Sequence, residues 1–138
     1  MNKILIIGGA GYVGSVVTAH FLKLDFKVNV LDQFVYNNQF SSAGYFGDPN
    51  YKLFKGDLGD YNKLDECSKG VDQVFLLGGL VGDPITKIFP HESNFINEKQ
   101  IIKCIDYFDN KKIKKLVFIS TCSNYGLIDE IELADENF

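Results

Sequence analysis

Residues 3–14 read KILIIGGAGYVG, and this stretch constrains the chain more than any other. After Lys3, the run Ile4-Leu5-Ile6-Ile7 is continuous apolar sequence, as expected of a strand covered on both faces. It breaks into glycines and resumes as Tyr12-Val13-Gly14-Ser15-Val16-Val17, which has a helical pattern. A glycine turn that opens a helix offers unpaired backbone N–H groups and the positive end of the helix dipole to an anion. In such a turn Gly8 permits the tight bend, Gly11 lets the backbone approach a pyrophosphate, and Gly14 lets the helix lie close on the strand. Spaced glycines alone occur in many loops. Here a strand precedes them and a helix follows, which is the context that gives the pattern weight.

The remaining bulk properties narrow the class. At 138 residues the chain is the size of one domain. A net charge of −4 argues against a general nucleic-acid binder, because no basic excess exists to neutralise phosphates. The sequence contains no Arg, so any phosphate must be held mainly by backbone N–H groups or Lys. Cys67, Cys104 and Cys122 are odd in number and lack metal-ligand spacing, which suggests free thiols in a reducing cytoplasm and no metal site. No signal peptide is apparent, and no apolar run approaches the ~20 residues that span a bilayer, so no membrane association is expected.

Along the chain, Val13, Val16, Val17, Phe21, Leu22 and Leu24 predict a first helix closing near Asp25. Lys27–Asp32 reads as a second strand ending in an acid, and Asp32 lies 18 residues past Gly14. A carboxylate there can accept hydrogen bonds from an adenosine ribose and would repel a 2′-phosphate, which favours NAD over NADP. The plainer alternative is an acid that merely ends a strand. Residues 33–50 have no clean period and are too long for a simple connection, so they are functional or carry short irregular structure. Residues 51–57 resume as a strand. Asp57-Leu58 could meet an adenine ring, or Asp57 could cap the helix beginning near Asp60. A short helix over Tyr61–Cys67 is followed by a fourth strand, residues 71–77, that breaks at Gly78-Gly79, where a ligand could approach the backbone. One long helix is predicted from about His91 to Phe108, with Phe95, Ile101, Ile102, Ile105 and Phe108 inward. The lysines at 111–115 read as a solvated face. Leu116–Ile119 reads as a fifth buried strand that delivers Ser120 and Thr121 to the same sheet edge as the glycine turn.

Strand units separated by helical or irregular segments imply an α/β fold, a doubly wound parallel sheet of Rossmann type with five strands. The expected order, 3-2-1-4-5, places the switch point between the first and fourth strands. Gly8–Gly14, Asp32, Asp57, Gly78-Gly79 and Ser120-Thr121 all follow strands. They should converge on one crevice at the carboxyl ends.

This set resembles the extended short-chain dehydrogenase/reductase family, specifically its NAD-dependent nucleotide-sugar epimerases and dehydratases. Residues 8–15, GGAGYVGS, are similar to that family's glycine turn. The resemblance implies cofactor contacts from Gly8, Gly11, Tyr12, Val13 and Gly14, ribose contacts from Asp32 with Gln33, and adenine contacts from Asp57 and Leu58. Val74–Gly79 is similar to the family's fourth strand, bringing Leu77, Gly78 and Gly79 to the cofactor; Leu76 stands where a His is usual. Asn94 matches a helix Asn near the cofactor, although Asn97 and Glu98 replace the Gly-Thr that usually follows. Ser120–Gly126 is similar to the family's Ser-Ser/Thr-x-x-Val-Tyr-Gly segment. It implies a cofactor contact from Ser120 and a catalytic hydroxyl at Thr121; the plainer alternative is a strand-end residue that satisfies backbone. Tyr125 does not match the catalytic tyrosine, and Cys122 has no His nearby in sequence to activate it.

The family's Tyr-x-x-x-Lys pair and its sugar-nucleotide-binding part are expected beyond Phe138. Tyr51/Lys55 and Tyr107/Lys111 have the spacing but precede Thr121. The chain is therefore read as the NAD-binding portion, residues 1–138, of an epimerase or dehydratase with NAD as cofactor, and inactive alone. A non-catalytic dinucleotide-binding sensor is the alternative, and an NADPH-using reductase of related fold a weaker one. A nucleotide sugar is the expected substrate when the remainder of the fold is supplied. Ending at the fifth strand leaves an apolar edge, which predicts a homodimer through it.

Overall fold

A computed structural model of the chain describes residues 2–121 and Gly126. The strands are β1 (Lys3–Ile7), β2 (Lys27–Asp32), β3 (Tyr51–Lys55), β4 (Gln73–Leu76) and β5 (Lys115–Phe118). The helices are α1 (Tyr12–Lys23), α2 (Tyr61–Cys67), α3 (Asp83–Ile88), α4 (Pro90–Asn94) and α5 (Ile101–Asp109). A 3-10 turn covers Gln39–Tyr45 inside the irregular segment, and a π-helical turn covers Phe95–Gln100. The five strands form one sheet in the order β3-β2-β1-β4-β5, and every pairing is parallel. The order expected from the sequence is the order observed.

Alternate residues of the central strands face opposite layers. Leu5, Ile7, Leu31, Val74 and Leu76 pack against Leu64 and Cys67 of α2 and Ile101, Cys104 and Phe108 of α5. Ile4, Ile6, Val28 and Val30 pack against Leu22, Val17 and Phe21 of α1. Truncating one of these fully enclosed side chains to Ala should cost about 2–5 kcal/mol. The buried Asn29 donates its amide to the carbonyl of Cys67, pinning the end of α2 to the sheet.

The buried stripe of α1 is Gly14, Thr18 and Leu22, whereas Val13, Val16 and Leu24 are exposed. The close approach of the helix to the glycine turn at Gly14 sets which face is inward. Two sequence expectations are corrected here. The single helix expected over 91–108 is interrupted by the π turn. Its wider ring shifts the helical phase, so Phe95 and Ile102 are exposed while Ile101, Cys104 and Phe108 are buried. β5 is not a buried strand: it lies at the sheet edge, with Leu116 and Val117 half-buried and Phe118 exposed.

Candidate functional site

The glycine turn is held by contacts between backbones. Gly8 has φ +83° and donates its N–H to the carbonyl of Leu31 at 2.8 Å. A Cβ on Gly8 would lie 2.7 Å from the Gly78 Cα, and one on Gly14 would lie 2.0 Å from the Gly8 carbonyl oxygen. Neither position accepts a side chain. Gly11 differs: a Cβ there would meet only the Gly8 oxygen, at 3.3 Å, and the residue lines an open cleft. Gly11 is also the N-cap of α1, so no side chain caps the helix, and its first turn carries no acid. The N–H groups that open α1 have no side-chain competitor for an anion.

Asp32, at the end of β2, does more than line the cleft. One carboxylate oxygen accepts the Ala10 N–H at 2.9 Å and the other accepts the Phe34 N–H at 2.8 Å. The Ala10 carbonyl is taken in turn by the Asn38 amide at 2.7 Å and the Ser41 hydroxyl at 2.8 Å. Ala10 at the crest of the glycine turn is therefore clamped through its N–H by the end of β2 and through its carbonyl by the irregular segment. Carboxylate oxygens accept more than one hydrogen bond, so Asp32 keeps capacity toward the cleft that it lines together with Gln33.

On the β3 side, Asp57 accepts the Gly59 N–H at 2.7 Å, a local turn rather than the helix cap. The cap is Asp60, which accepts from the N–H groups of Asn62 and Lys63. Leu58 lines the cleft and reaches Gly78 at the end of β4. Leu77, Gly78 and Gly79 form the opposite wall. Asn97 holds the chain that leaves that wall: its amide donates to the Leu80 carbonyl at 2.6 Å and accepts the Leu80 N–H at 2.8 Å.

Gly8, Gly11, Asp32, Gln33, Leu58, Leu77, Gly78 and Gly79 are thus brought together, as their strand-end positions imply. Tyr12 and Val13 lie on the exposed first turn of α1, at 95% and 53% exposure, and do not line the cleft. Asn94 sits exposed at the end of α4 and does not line the cleft; the helix Asn that reaches the β4 end is Asn97. Ser120 and Thr121 are exposed, just past β5. Cys122 and Tyr125 lie outside the described residues. Val35, Tyr36, Asn38, Ile96 and Gln100 also line the cleft. Sequence reasoning left them unassigned because they belong to the aperiodic segment and to the π turn.

The pairs spaced like a catalytic Tyr-Lys take no part. Tyr51 packs against Tyr45 and Phe46. Tyr107 donates to Asp65, which also holds Lys111 at 2.8 Å. Burial and then the Asp65 bond push the Tyr107 phenol up, opposite to what proton transfer near neutral pH needs. Lys114 pairs with Asp72 at 2.7 Å, as expected of a solvated face. Cys67 and Cys104 are buried free thiols pushed up to about 12 by burial, hence inert rather than nucleophilic. Among the described residues no cluster of metal-ligating side chains occurs, and no helix is long and apolar enough to cross a membrane.

A parallel sheet in this order, with a glycine turn and a strand-end acid at one mouth, defines a dinucleotide-binding domain of Rossmann type. The model of the NAD dependent epimerase/dehydratase family matches residues 4–138, and the chain belongs to that family, whose cofactor is NAD. It is 34% identical to a UDP-glucose 4-epimerase of Halalkalibacterium halodurans over 128 residues, 89% of this chain and 36% of that protein. A UDP-glucose 4-epimerase of Corynebacterium glutamicum is 29% identical over 136 residues, 97% of this chain and 39% of its own length. Among solved structures, an epimerase of Methanothermobacter thermautotrophicus superposes with TM-score 0.84 at 26% identity, covering 96% of this chain and 39% of that one. A UDP-glucose-4-epimerase of Stenotrophomonas maltophila solved with bound NAD shares the fold, with TM-score 0.85 at 19% identity over 99% of this chain and 42% of its own. The chain spans little more than a third of the curated relatives it matches.

Proposed function

We propose that this chain binds NAD in the cleft above the carboxyl ends of β1–β4, as the cofactor-holding part of a nucleotide-sugar epimerase or dehydratase. The observation that carries the reading is the convergence of Gly11, Asp32, Leu58 and Gly78-Gly79 on one cleft beside an uncapped helix start. The pyrophosphate goes to the N–H groups of the Gly11–Gly14 turn. There a side chain at Gly11 would occupy cleft space, and the sequence offers no Arg as a substitute. Asp32 accepts from the adenosine ribose hydroxyls with the oxygens that already order Ala10 and Phe34. A 2′-phosphate in the same place would meet a carboxylate whose position is fixed, so NAD is selected over NADP.

When bound, NAD supplies a reversible hydride acceptor for a sugar carbon. The chain's own part in the chemistry is Thr121, whose hydroxyl hydrogen-bonds the sugar oxygen that gains or loses a proton. Ser120 beside it contacts the cofactor. No lysine occurs in residues 122–138, so the reading assigns this chain cofactor binding and one catalytic hydroxyl rather than complete turnover. Free, buried thiols at Cys67 and Cys104 suit a reducing, cytoplasmic setting.

Titration calorimetry with NAD and NADP tests the proposal. NAD is expected to bind, NADP more weakly, and Asp32→Ala to lose the NAD complex. No heat with NAD from a chain whose circular dichroism shows it folded would overturn the reading.

A further inference from the structure

Beyond the residues already given roles, one side chain in the cleft has an unmet requirement. The carbonyl oxygen of Gln100 is enclosed and has no hydrogen-bond partner among the described residues, and Gln100 lines the cleft. It ends the π turn, which presents it against the loop after β3. Gly59 makes room for it: a Cβ there would lie 3.0 Å from the Gln100 Cγ, 3.1 Å from its Nε2 and 3.3 Å from the Asp57 carboxylate. Asp57 is fixed by the Gly59 N–H, so the Gln100 amide and the Asp57 carboxylate stand around one glycine. The neighbouring cleft walls are apolar, from Leu31, Leu58 and Ile96. Apolar walls beside the unpartnered Gln100 oxygen suit a flat ring that bears an amine; the other unpartnered oxygen at the cleft, Asn38 Oδ1, belongs to the residue that holds Ala10. An amide oxygen shut away from water is unfavourable until a donor reaches it.

We infer that Gln100 reads the purine of the dinucleotide, its carbonyl oxygen accepting a hydrogen bond from the exocyclic amine of adenine. The inference rests on the proposed binding of NAD in this cleft. Two parts of NAD carry an NH₂ group, the adenine and the nicotinamide carboxamide. Leu58 and Asp57 follow β3 and Asp32 follows β2, on the same side of β1. With the adenosine ribose at Asp32, the base falls on the Gln100 side and the carboxamide falls toward β4 and β5. An inosine-type base carries a carbonyl at the same ring position, which would face the Gln100 oxygen acceptor to acceptor.

The test uses NAD, nicotinamide hypoxanthine dinucleotide, the whole chain, and two variants. The parent chain is expected to prefer NAD. Gln100→Met keeps the length and removes the acceptor, and should reduce that preference by about fivefold or more. Gln100→Glu keeps an acceptor oxygen and should retain the preference. Thermal unfolding without ligand gives an independent reading: Gln100→Met should be no less stable than the parent, because it removes an oxygen that has no partner. An unchanged preference in the Met variant, loss of preference in the Glu variant, or a clearly destabilised Met variant each overturns the assignment while leaving NAD binding standing. A folded parent that binds neither dinucleotide takes down both readings.

Discussion

On the β2–β3 side of the cleft, side chains hold the backbone at successive positions. Asp32 grips Ala10 and Phe34, Asn38 and Ser41 grip the other face of Ala10, and Asp57 grips Gly59. Across β1, on the β4–β5 side, Asn97 holds Leu80, and β5 is an outer strand with Phe118 and Ile119 exposed. Both sides present strand ends to the same cleft. They differ in where the side chains take hold: at the crest of the glycine turn on one side, and at the exit from β4 on the other. A preorganised surface loses less freedom on binding, so the chain itself has prepared the half proposed to take adenosine.

This contrast can be broken or sharpened by substitution. The largest effect is expected at the hinge common to both halves: Gly14→Ala drives a methyl into the Gly8 carbonyl and should cost about 3 kcal/mol or more in thermal unfolding. A variant that melts like the parent would mean that the turn yields easily. Next, Asp32→Ala leaves two N–H groups without their carboxylate and should cost about 2–3 kcal/mol even without ligand. If its stability is unchanged, the Ala10 clamp has no energetic content and the contrast fails. Asn97→Leu removes both bonds to Leu80 and should cost about 1–2 kcal/mol. Amide exchange should speed up at Leu80 and stay slow at Ala10; equal acceleration at both would show that the two walls are coupled. The smallest change is at the edge, where Ile119→Lys should alter stability by no more than about 0.5 kcal/mol. If copies pair through β5, as we propose from its exposed apolar edge, sedimentation should shift that variant toward monomer. Self-association that survives the charge excludes β5 as the contact.

Much of this architecture was legible in the sequence, for reasons that vary by element. Buried parallel strands must be continuously apolar, so Ile4–Ile7 and Val28–Leu31 announced themselves, apart from Asn29. The glycine turn was readable because Gly8 and Gly14 answer to backbone contacts that no other residue tolerates. Asp32 was readable by its distance from that turn. Asn94, by contrast, was assigned because it matches the family's helix Asn, whereas the residue that holds the β4 end is Asn97, inside the π turn. The π turn changes which side chains face the sheet, and local sequence does not reveal where such a turn will form. The inward stripe of α1, Gly14, Thr18 and Leu22, is likewise set by how closely the helix packs and not by hydrophobicity alone.

Strand order, the glycine turn and the acid that follows β2 were determined by sequence alone, since each depends on short-range pattern and on rules of chain connection that need no partner. Only the tertiary structure decided that Ala10 is clamped from both faces, that Asn97 anchors the β4 end, and that Gln100 brings an unpartnered oxygen to the cleft. Those contacts join residues distant in the chain through loops and an irregular helix. Their geometry is set by how whole elements pack and not by periodicity within any one of them.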